Sequence, residues 1–327
     1  MIPFLIRRIT VSIGAFFIMT FAVWLMTTYH GEALFNHPSL ALLAQSDYPT
    51  WINHILHGDF GVSTRYRTPV TNLFSQYALA TLLLIVPAFI LQEIISVLLG
   101  MFTSATKGSI FDRTVLTISS AVASFPPFWL SLMGIAILCV QFHFFSFNGI
   151  INARYGLNFN TPEYWAYFHD HPIELLGDMY HHLGLPVILL ALSGLAQDTQ
   201  LVRVTMLDVL SQEYIRAATA RGLSRVAVVG RHAFRNALLP FITNIGIQLP
   251  RLVFAAAITE FIFVIPGIGS LFITSSYAPG NSRDISQPLD LNIVTAAFFI
   301  LGTVTLLSTI ITDVAYALAD PRIRQQG

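Results

Sequence analysis

The sequence predicts an all-α polytopic membrane protein with six transmembrane helices, and three observations carry that expectation. Of 327 residues, 54% are hydrophobic and only 10% charged, against about a quarter charged in water-soluble domains. Apolar stretches near the roughly 20 residues needed to cross a hydrocarbon core recur six times. The segments between them alternate between basic and base-poor. This composition argues against a soluble enzyme. The balance of 17 Lys+Arg against 17 Asp+Glu also removes the basic surface that a nucleic-acid partner requires. Cys139 is the single cysteine of the chain, so neither an internal disulfide nor a CxxC site can form.

The first expected span, Ile9–Met26, is uncharged and follows Arg7–Arg8. Its apolar run is longer than a signal-peptide core, and no small-residue cleavage site closes it, so an uncleaved helix is expected. The second, Tyr77–Met101, contains Glu93. The third, Val115–Phe142, is uncharged, long enough to tilt, and carries Pro126–Pro127, which should break or kink it. The fourth, Leu185–Met206, contains Asp198 and Arg203. The fifth, Leu238–Val264, contains Arg251 and Glu260 and is followed by a turn at Pro266–Gly269. Leu291–Thr312, again uncharged, is the sixth.

With the N-terminus inside, the inner segments hold Arg7, Arg8, Lys107, Arg113, Arg203, Arg216, Arg221, Arg225, Arg231, Arg235, Arg322 and Arg324. The outer segments hold only Arg65, Arg67, Arg154 and Arg283. Twelve against four places both termini in the cytoplasm by the positive-inside rule. Residues 28–76 and 143–184 then become external loops. Their aromatic residues, among them Tyr48, Trp51, Tyr66, Tyr164 and Trp165, suit an interfacial belt or short helices lying on the membrane. No internal repeat divides the chain, so residues 1–327 are expected to form one transmembrane domain.

The inner segment 207–239 is longer than a connector needs. It has a helix-forming run, Glu213–Arg221, a glycine stop at Gly222, and a second apolar-basic run reaching Leu238–Leu239–Pro240. On residue chemistry alone, a membrane-surface helix and a partner-docking helix are both open. Small residues at Ala217, Ala218 and Ala220 would let a partner approach closely, and arginines could pair with its acids.

The run EYIRAATARG, Glu213–Gly222, continuing through RHAFRNALLP, Arg231–Pro240, resembles the cytoplasmic EAA loop of binding-protein-dependent ABC importer permeases. The version is similar to that of the dipeptide/oligopeptide/nickel branch. GDFGVS at Gly58–Ser63, Pro69–Val70, SFPPFWL at Ser124–Leu130, Leu185–Pro186, PGIG at Pro266–Gly269 and DPRIR at Asp320–Arg324 extend the resemblance over nearly the whole chain. The N-terminal Arg-Arg start and the long following loop resemble the B-type subunit. Arg216 stands where the general loop motif has Glu, and Arg251 is unusual for the branch.

The resemblance implies a type I permease fold that forms half of a translocation path for di- or oligopeptides, in the cytoplasmic (inner) membrane of a bacterium or archaeon. Nickel or another small solute is the alternative cargo. It further implies an ATPase-coupling surface made by Glu213, Tyr214, Arg216, Ala217, Ala218, Arg221, Gly222, His232, Asn236 and Pro240. The implied partners are a second, C-type permease, two cytoplasmic ATPases, an extracytoplasmic substrate-binding protein and the lipid bilayer. ATP and Mg would be used by the ATPases, with no cofactor on this chain. Consistent with that division, no GxxxxGK[ST] phosphate loop occurs.

Charges within a span are costly, which makes Glu93, Arg251 and Glu260 candidates for the translocation path, with structural pairing as the competing role. Arg251 and Glu260 are about 13.5 Å apart along one helix and cannot pair directly. Glu260 is expected near the outer end of its span, within reach of water. His169/His171 and His181/His182 lack the i, i+4 spacing of helical ligands, and no metal site is expected. An intramembrane enzyme using Glu93 and Asp198, or an ion-coupled carrier, would not need the large inner segment. No GxSxG or HExxH motif supports catalysis.

Overall fold

A computed structural model describes residues 2–34, 47–224, 227–276 and 290–319. The terminal motif Asp320–Arg324 and the side chains of Arg8 and His232 lie outside the described residues. Helix dominates, and the described residues form no strand beyond an isolated bridge between Val62 and Pro69.

Helix α1 spans Ile2–Leu34. The short α2, Tyr48–Leu56, begins at a proline and buries Trp51, Ile52 and Ile55, a helical spacing that gives it one apolar face. Helix α3, Val70–Ala105, is followed by α4, Ile110–Ala123. The chain then breaks before α5, Pro127–Gly134, which runs on as a π-helical turn, Ile135–Gln141. Helix α6, Pro162–Asp170, precedes the 39-residue α7, Pro172–Leu210. The exposed α8 covers Glu213–Ala220. A π-helical turn, Val228–Ala233, leads into α9, Phe234–Ile262. Helices α10, Ile268–Ser275, and α11, Leu291–Ala319, complete the order.

Four helices have segments long and apolar enough to cross a membrane: α3, α7, Pro240–Ile262 of α9 and Leu291–Ala315 of α11. Taken together, α4 and Pro127–Gln141 make a fifth, bent by 96°. Within α1, Ile9–Leu25 is a shorter apolar helix. The third expected span is therefore not one rod. Pro126 disfavours helical backbone at Phe125, and Pro127 lacks the N–H needed to continue α4, so Pro127 instead starts a new helix.

Two helices begin well before their expected spans. Helix α7 starts at Pro172 rather than Leu185, and α3 at Val70 rather than Tyr77. Pro172 takes the first position of α7, where the N–H is unpaired in any case, and Pro69 is the N-cap of α3. Both extensions are taken from segments expected to be loops.

Helices α3 and α7 pack along much of their length. Close approach is permitted at Gly100, where a Cβ would lie 2.6 Å from the Val202 side chain, and at Gly134, where it would meet Leu189. The central core gathers Leu84, Ala88, Leu185, Leu190, Leu252 and Ala256. A second cluster joins α2 to α10 and α11 through Trp51, Phe60, Phe74, Leu271 and Ile293. A third, with Met206, Ile215, Val229, Ala233 and Phe241, lies beneath α8.

Candidate functional site

Helix α8 is set up by its neighbours in sequence. α7 ends at Leu210, and two residues later Gln212 takes the N-cap of α8. Ile215 is 4% exposed and anchors the helix in the third cluster. Glu213, Tyr214, Arg216, Ala217, Thr219 and Arg221 are exposed, and Ala218 is half-buried. The Asn236 amide donates to the Tyr214 hydroxyl at 2.6 Å, tying α8 to α9. Gly222 has φ +84 and its N–H bonds the Thr219 carbonyl, ending the helix in a left-handed turn that favours glycine.

The structure thus places Glu213, Tyr214, Arg216, Ala217, Ala218, Arg221 and Gly222 on α8 and its C-terminal turn, with Asn236 of α9 bonded to them through Tyr214. Pro240 lies inside α9 rather than at a helix boundary, on an exposed position one turn beyond Asn236.

The intramembrane charges separate into different environments. Asp198 is fully buried and accepts from the Gln92 amide at 2.7 Å, Asn244 at 2.6 Å and Gln248 at 2.7 Å, joining α3, α7 and α9. Glu93 is half-buried beside this network, with both carboxylate oxygens buried and unpartnered among the described residues. Arg251 is exposed and donates to Gln197 Oε1 at 3.4 Å. It opens on a cavity of about 330 Å³ lined also by Gln92, Ser193, Gln197 and Gln248.

Glu260 lies near the end of α9 as expected but out of reach of water, since it is 0% exposed. After α9 the chain turns through Val264–Gly267 and α10 folds back over the carboxylate. Thr81 donates to Glu260 Oε1 at 2.7 Å and accepts the Ile268 N–H at 2.8 Å, while the Ser270 N–H donates to Oε2 at 2.9 Å. Glu260 and Thr81 therefore serve jointly as a remote N-cap for α10, satisfying donors that a helix start leaves unpaired. Gly267 makes room for it: a Cβ there would lie 2.3 Å from the Glu260 carboxyl carbon.

Sequence reasoning missed three polar links. Arg203 grips Asp112 bidentately at 2.7 and 2.9 Å, and the Ser109 hydroxyl caps α4 by accepting the Asp112 N–H. The Ser-x-x-Asp spacing signals that cap. Asn244 and Gln248, one helical turn apart, are a pattern that could have found the Asp198 network. Asp290, 1% exposed, accepts from Ser63 at 2.6 Å and from the Arg65 N–H at 3.2 Å, fastening the Gly58–Ser63 turn to the start of α11.

Within that turn the Gly61 N–H, then His54, hold the Asp59 carboxyl below the usual range. The histidine pairs are split. His182 is buried against the Asp178 carbonyl at 2.8 Å, His181 is exposed, and His171 stacks on Tyr167. Among the described residues no cluster of three His, Cys, Asp or Glu could hold a metal ion.

Long apolar helices, a buried polar seam and a short exposed helix between two of them define a polytopic membrane component. Residues 96–325 match the family described as binding-protein-dependent transport system inner membrane component, and the chain belongs to that family. It is similar to the dipeptide transport system permease protein of Escherichia coli strain K12, at 31% identity over 348 residues and 100% of both chains. It is also similar to the oligopeptide transport system permease protein of Bacillus subtilis strain 168, at 32% identity over 277 residues, 84% of this chain and 79% of that one. The di/tripeptide transport system permease protein of Pseudomonas aeruginosa strain UCBPP-PA14 is 31% identical over 347 residues, again 100% of both.

Proposed function

We propose that this chain is the B-type permease subunit of an ATP-driven ABC importer for di- or oligopeptides, crossing the inner membrane six times with both termini in the cytoplasm. Residues 28–76 and 143–184 belong to its external side and 207–239 to its cytoplasmic side. It forms half of the translocation path with a C-type permease, receives substrate from an extracytoplasmic binding protein, and has no nucleotide site of its own. Two cytoplasmic ATPases hydrolyse MgATP, and α8 transmits their closure to the bundle.

The observation that carries this reading is α8 itself. Its basic and small residues face outward, while Ile215 and the Tyr214–Asn236 bond fix it to α7 and α9. A helix so anchored moves the long helices when it is pushed. The peptide cargo rests on the names of the relatives, which match over the full chain length.

Charge reversal at Arg216 and Arg221 is expected to abolish co-purification with the ATPases, or to leave ATP hydrolysis running without peptide uptake. Assembly and uptake at wild-type levels in that variant would remove α8 from the coupling role.

A further inference from the structure

We infer that Arg251, with Gln92 beside it, forms a binding site in the translocation path for the carboxylate end of a peptide in transit. This rests on the peptide-permease reading above and names what the path recognises.

Arg251 stands at the midpoint of the Pro240–Ile262 segment, eleven residues from each end, or roughly 16 Å. That depth is beyond a lipid headgroup. Ile247, Arg251 and Phe254 follow i, i+4, i+7 spacing and are all exposed on one face of α9. A guanidinium on a lipid-facing stripe at this depth would cost a few kcal/mol, so the stripe faces water or protein. Among the described residues no carboxylate pairs with Arg251, and its hydrogen-bonded neighbour, Gln197, is neutral.

The second observation comes from Gln92. It is 1% exposed and lines the same cavity. Its Nε2 donates to Asp198, which fixes the orientation of the amide, and its Oε1 is left buried without a partner. A buried unpaired acceptor is costly and calls for a donor. The site therefore offers a cation for an anion and, buried just beneath the cavity lining, an unpaired carbonyl for an N–H. A peptide C-terminus carries both complements, a carboxylate and the amide N–H next to it. The cavity of about 330 Å³ is ligand-sized, at the small end of the range. An acidic residue of the second permease could satisfy the guanidinium, but would leave this space and the Gln92 acceptor unused.

The test uses the complete transporter, with both permeases, both ATPases and the binding protein, in proteoliposomes. Uptake is compared for a matched pair of peptides, one ending in a carboxylate and one in the neutral amide, both retained by the binding protein. In Arg251→Gln the ratio of carboxylate to amide uptake is expected to fall about tenfold, the scale of one charge-assisted bond, with complex yield as in wild type. Arg251→Lys should restore most of that ratio. Equal loss of both peptides, an unchanged ratio, or failure of Arg251→Gln to assemble with the second permease would each overturn the assignment. The last result would make Arg251 an inter-subunit pairing residue. Absence of uptake of either peptide by the wild-type complex would overturn the peptide reading, and this site with it.

Discussion

Glu260 shows how one residue's role follows from what folds over it. Counted as a charge in an apolar span, it suits a transport path, yet its oxygens are occupied by Thr81 and the Ser270 N–H. A glutamine at 260 can turn its carbonyl toward Ser270 and its NH2 toward the remaining lone pair of Thr81, leaving only the Thr81 hydroxyl proton unplaced. An alanine strips the acceptor from both donors and leaves a hole. Glu260→Gln is therefore expected to cost about 1 kcal/mol and Glu260→Ala about 3 kcal/mol of stability. Thermal unfolding of the purified chain in detergent reads that order, and equal midpoints for wild type and alanine would remove the capping role. The composition of the span revealed the charge. Its partners come from Thr81 and from α10, distant or reversed in sequence, and no local pattern names them.

At the scale of elements, short-range signals were the legible ones. The expected helix Glu213–Arg221 appears as Glu213–Ala220, and the break expected at Pro126–Pro127 appears as a bend of 96°. The start of α7 at Pro172 has no such local signal. Leu175, Met179, His182 and Leu183 bury one face at helical spacing, but Gly177, Asp178, Tyr180 and His181 between them lower the hydropathy enough to resemble a loop.

The direction of the chain after α8 is set at Gly222. A Cβ placed there would meet nothing within 4 Å, so any penalty comes from the positive φ alone. Asparagine tolerates that region and valine does not. Gly222→Asn should keep ATPase co-purification near wild type, whereas Gly222→Val should lower it several-fold by redirecting the chain after α8. If both variants bound alike, the left-handed turn would not be what aims α8.

Across the chain as a whole, the zero net charge conceals an uneven spread of basic residues. Basic residues crowd the segment around α8, while the segments containing α2 and α6 have few. Burying α8 against a cytoplasmic partner and leaving α6 outside requires the two to lie across a membrane from each other, and that is directly measurable. Cys139 is the single cysteine and is buried, so its replacement by serine leaves a thiol-free background at the cost of one small apolar contact. Thr219 on α8 and His169 on α6 are both exposed, so a thiol at either is free to react. A membrane-impermeant maleimide added to intact spheroplasts is expected to label His169→Cys and not Thr219→Cys, with Thr219→Cys becoming reactive once the membrane is opened. Labelling of Thr219→Cys from outside would invert the orientation and remove the ATPase from its reach. Labelling of both from outside would mean an even number of crossings between them instead of the single one made by α7, and the count of six would fall.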